Sequence, residues 1–64
     1  MTEQILLQTA VIELAKAQTQ LLAMQRSGVN ELTAAHALTH GRAGLAALEH
    51  LQRLAAGMPQ PQKG

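Results

Sequence analysis

Residues 24–33 read MQRSGVNELT, and the reading of this stretch decides the fold. Gly28 interrupts an otherwise helical pattern one residue after a basic last turn ending at Arg26. A left-handed glycine just past a helix end satisfies carbonyls that the helix leaves unpaired, and Gly adopts that backbone without a Cβ clash. Placing Gly28 at that position pairs Met24 with Val29, the apolar contact of a Schellman ending. Asn30 then stands as a fresh N-cap, and Glu31 puts an acid where the dipole of a new helix favours one. The stretch therefore predicts a helix end, a four-residue turn over 27–30, and a helix start.

Working outward, the chain upstream of Arg26 holds no Gly or Pro back to Glu3, and Thr2 is placed to cap it. Downstream, the helical pattern runs from about 31 to 56, with Arg53 near its end, Gly57 just past it and Pro59 beyond. Two helices of similar length on a short link predict an all-α antiparallel hairpin, helix 3–26 against helix 31–56. The domain is then 1–56, and GMPQPQKG (57–64) is expected to be a disordered tail.

Composition narrows the function classes. A chain of 64 residues hides only about 60% of the surface its unfolded form exposes, so it depends on a disulfide, a metal or another chain. There is no cysteine, which excludes disulfides and thiolate metal sites, and no Phe, Tyr or Trp to stack on bases. A net charge of +1 gives no reason to expect a nucleic-acid or membrane partner. No apolar run approaches the roughly 18–20 residues of a membrane span. The amino terminus, MTEQILLQ, lacks the basic start and apolar run of a signal peptide, so a cytoplasmic location is expected.

Apolar spacing predicts the helix contacts. Leu7, Leu14 and Leu21 recur every seven residues, with Met24 on the same stripe. Leu38, Gly41, Leu45 and Leu48 form the matching stripe on the second helix, flanked by Gly44. These nine residues are the expected hairpin seam, with the glycines letting the backbones approach closely. A break or bend at Gly41 is the alternative explanation of that glycine. Ile5, Val11, Ile12, Ala15 and Leu22 lie off the first stripe and widen the apolar arc beyond what one neighbouring helix covers. They are the expected partner-binding surface. Thr9, Glu13, Lys16 and Gln20 make a thin polar strip, with Glu13 able to reach Lys16.

His36 and His40 stand at i,i+4, a spacing that lets two imidazoles share a metal ion. No third ligand accompanies them on their own helix, and His50 is about 15 Å further along the axis. They are a candidate pair and no more, so no metal or other cofactor is expected. No nucleophile–base–acid set or phosphate loop is present either, which predicts a non-enzymatic protein.

The stretch LAKAQTQLLAMQRSGVNELTAAHAL, continued by GRAGLAALEHLQRLA, resembles the YscE/PscE-like small co-chaperones of bacterial type III secretion needles. The resemblance spans about residues 13–55. It implies a helical hairpin that pairs with another helical chaperone to hold a needle subunit soluble. A second similarity is to the Rop family of plasmid hairpins, carried by Met1-Thr2, Gln4, Gln18-Thr19 and Gly57. It implies a self-associating four-helix bundle. RNA binding does not follow, because the matching face of the first helix offers only Lys16 as a base. The expected partner is thus another helical protein, as a heterodimer, or a second copy of the chain.

Overall fold

The computed structural model describes residues 2–57, the side chain of Thr2 excepted, and these form two α-helices with no strand among them. Helix α1 spans Thr2–Ser27 and α2 spans Glu31–Gly57, packed side by side as a hairpin. The expected tail lies outside the described residues from 58 on, and so does the capping side chain of Thr2. Helix α2 continues unbroken past Gly41 and takes in Gly57, so the break read as an alternative at Gly41 is not there.

The turn forms for the reasons its residues predict, with one correction. Gly28 has φ 99°, in the left-handed region, and its N–H donates to the Met24 carbonyl at 2.8 Å. That single bond is the simpler left-handed ending and not the Schellman pair. Val29 accordingly does not fold back on Met24; it is 88% exposed. Asn30 caps α2 as expected. Its side-chain oxygen accepts from the Thr33 N–H at 3.0 Å, and its carbonyl accepts from the Ala34 N–H at 2.8 Å.

The seam is where sequence and structure part. On α1 the more enclosed positions are Leu6, Thr9, Ala10, Glu13, Ala17, Gln20 and Met24, which Thr9 apart alternate steps of four and three. On α2 they are Thr33, Ala34, Ala37, His40, Gly41, Gly44, Ala47, Leu51 and Leu54. Among the described residues, only Ala10, Ala17, Ala47 and Gly44 are buried and no large side chain is fully enclosed. The helices therefore meet through alanine, glycine and a polar pair. Leu7, Leu14, Leu21, Leu38, Leu45 and Leu48, expected in the seam, are 38% to 55% exposed and lie beside it. Met24 and Gly41 are half-buried, and Gly44 is within the seam.

The helices come close at Gly44. A Cβ added at Gly44 would stand 2.6 Å from Cγ of Leu14 and 3.4 Å from its backbone nitrogen. The Leu14 side chain packs onto the bare Gly44 backbone there, while the other leucines lie further to one side of the seam.

Candidate functional site

The displaced leucines make a surface. At 3.6 residues per turn, Leu7, Leu14 and Leu21 sit about 40° to 80° round α1 from Ala17. Leu48, Leu45 and Leu38 sit about 40° to 120° round α2 from Gly44. Because the helices are antiparallel, the two displacements fall on the same side of the hairpin. A groove runs along that side, floored by Ala17, Ala37 and Gly41 and walled by Leu14, Leu21 and Leu38. Leu7 and Leu51 line a second depression at the open end, where Glu3 stands. By helical position, Glu3 falls within this face, and Glu31 and Glu49 fall at its outer edge, about 20° beyond Leu38.

The opposite edge of the seam is polar. His40 Nδ1 and Glu13 Oε1 are 2.6 Å apart, linking the two helices. An ionised carboxylate can only accept, so the imidazole carries its proton on Nδ1 here. The hydrogen bond from His40 is the main cause that holds the Glu13 carboxyl below its ordinary value; desolvation opposes it, and the charges of Lys16 and His40 add to it. This pair was not legible in the sequence, which put Glu13 on a solvent strip beside Lys16. The available signal was the step pattern 6-10-13-17-20-24, whose small members mark the side where backbones meet.

The histidine pair gains an acid from α1 but not a third ligand set. His36 is exposed, and Nδ1 of His40 is committed to Glu13. No group of three or more His, Cys, Asp or Glu side chains is arranged to hold a metal ion among the described residues.

The expected partner surface on α1 is exposed but divided. Val11 and Leu22, 67% and 50% exposed, continue the leucine face outward. Ile5, Ile12 and Ala15 are exposed as well, but Ile12 lies about 160° round α1 from Leu14. The continuous apolar surface is the one built by both helices together. No described helix is long and apolar enough to cross a membrane.

These features define a class: an antiparallel two-helix hairpin with a thin alanine seam and one uncovered leucine face. No family model matches the chain, and neither a curated protein nor a solved structure does.

Proposed function

We propose that this chain is a small helical protein-binding module, completing a bundle with a helical partner laid across its leucine face. One observation carries the reading: the apolar stripes of both helices point away from each other's axis and toward the same side. In a self-sufficient pair, each stripe points at its neighbour. Stripes turned to one side aim at a core that the hairpin only half supplies. Covering the face offers on the order of 1 kcal/mol for each half-exposed leucine, a large share of the stability of so small a fold.

The particular role we propose is the one implied by the resemblance to the needle co-chaperones. In that role the chain pairs with a second helical chaperone and keeps a type III secretion subunit soluble. The work is binding and not catalysis. A face without a basic residue, bordered by Gln18, Gln25 and Gln52 and carrying only acids at its end and edge, suits an apolar helical surface better than phosphate or lipid headgroups.

The test is co-expression with a candidate helical chaperone and needle subunit, comparing the wild-type chain with the double variant Leu38→Gln, Leu45→Gln. Co-purification with the wild type and its loss with the variant supports the reading. Binding that the variant leaves unchanged overturns the leucine face as the docking surface.

A further inference from the structure

Gly41 poses a problem that the hairpin does not solve. Gly44 is explained, because a Cβ there would collide with Leu14. A Cβ at Gly41 would meet nothing within 4 Å. Yet glycine inside a helix is roughly 1 kcal/mol less favourable than alanine. Gly41 is in the floor of the leucine groove, facing outward. A hole kept open in that place fits a side chain that arrives from outside the hairpin.

The geometry points to a second copy of this chain as the occupant of the leucine face when no other partner is bound, an inference resting on the reading of that face as an interface. The reason is self-complementarity. Across the hairpin, each leucine of the groove stands within about one turn of a small residue on the other helix: Leu14 by Gly41, Leu21 by Ala34, and Leu38 by Ala17. Continuing the same register brings Leu45 to the level of Ala10.

A two-fold axis in the interface, parallel to the helices, keeps every level and lays α1 of one copy over α2 of the other. Each leucine then packs against both a small residue and a leucine of the mate, Leu14 beside Gly41 and Leu45, and Leu21 beside Ala34 and Leu38. Leu14 of each copy enters the hole at Gly41 of its mate, and Leu38 covers Ala17. Neighbouring helices are all antiparallel in this four-helix arrangement.

Size and charge agree with this occupant. Twenty-six helical residues extend about 39 Å, and two helices side by side are about 20 Å wide. The face therefore offers roughly 800 Å², the share each partner contributes to an interface of standard size. A two-fold pairing sets any charge on the face against a face of the same sign. This face carries Glu3 at its end and Glu31 and Glu49 along its outer edge, with no charge in its centre, so the centre of the pairing meets little repulsion.

Sedimentation equilibrium over a wide concentration range tests the pairing, with helicity recorded on the same samples. The wild-type chain is expected to be a helical dimer. Gly41→Leu, whose side chain begins in open space within its own hairpin, fills the hole and should weaken the dimer at least tenfold while the helices persist above the new dissociation constant. Leu32→Gln, on the far side of α2 and 66% exposed already, should leave it unchanged. A monomer at every concentration overturns the second copy and leaves the partner reading standing. So does a dimer that Gly41→Leu leaves intact and Leu32→Gln weakens, because the copies then meet through another surface.

Discussion

Glu13 and His40 show how much one polar contact can do in a seam made of alanines. Their 2.6 Å bond fixes the two helices in register at one level, on the edge opposite the leucine face. The folded carboxyl titrates below its ordinary 4.5, because His40 bonds to its charged form. Its contribution is therefore complete above about pH 4.5 and is lost as pH falls through the lowered folded value. Glu13→Gln removes that dependence while still offering an oxygen to His40. Thermal melts from pH 7 down to pH 2 should show the wild type losing more stability in acid than the variant. Glu3, Glu31 and Glu49 are common to both chains and cancel in the difference. Equal acid losses in the two chains would mean the pair does not couple the helices. The two mid-helix glycines separate at the same scale. Below the concentration at which copies associate, Gly41→Ala should raise hairpin stability by about 0.5–1 kcal/mol through helix propensity. Gly44→Ala has the same propensity gain but drives a methyl against Leu14, so it should be destabilising by comparison. Urea melts at one fixed protein concentration compare them.

At the scale of elements, both helices and the turn were legible because their signals are local. A left-handed glycine, an Asn cap and an acid in the first turn act within a few residues, and the sequence holds all of them between 28 and 31. Gly28→Ala places a Cβ in the left-handed region at φ 99° and should cost about 1–2 kcal/mol. Asn30→Ala removes the bond to the Thr33 N–H and should cost about 1 kcal/mol. Circular dichroism melts of the two variants check both figures. What the sequence did not yield is which side of each helix meets the other. The recurrence of Leu7, Leu14 and Leu21 locates the centre of an apolar stripe, and a stripe points at the centroid of whatever core it joins. In a two-helix core that centroid is the neighbour. Here it lies above the hairpin plane, so reading the stripe as the seam set most of the leucines too far inward, Leu14 against Gly44 excepted, and left Glu13 in solvent. The Ala and Gly positions carried the correct register. Their signal is weak, because small residues occur on exposed helix faces as readily as in close contacts.

For the whole molecule, the consequence is a division of labour between two surfaces. The seam holds the hairpin shape through closeness, and the leucine face supplies most of the apolar area that another chain can cover. Substitutions on the two should then fail differently. Leu38→Gln with Leu45→Gln keeps helix propensity nearly constant, since Leu and Gln rank close together. It removes two half-exposed leucines from the face and leaves the buried Ala10, Ala17, Gly44 and Ala47 unchanged. Association should be lost, with the remaining helicity independent of protein concentration. Ala47→Gln does the opposite. Ala47 is 5% exposed in the seam, so a longer polar side chain forces the helices apart or swings into the face. Helicity should fall at every concentration, and raising the concentration should recover only part of it. Dichroism of the two variants across a hundredfold concentration range separates these outcomes. A double leucine variant that unfolds as Ala47→Gln does would show that the face and the seam form one core even in the single chain. A double variant that associates like the wild type would show that the leucine face is left open in the assembled protein. The two-surface account requires concentration dependence to vanish in the first variant and to persist in the second.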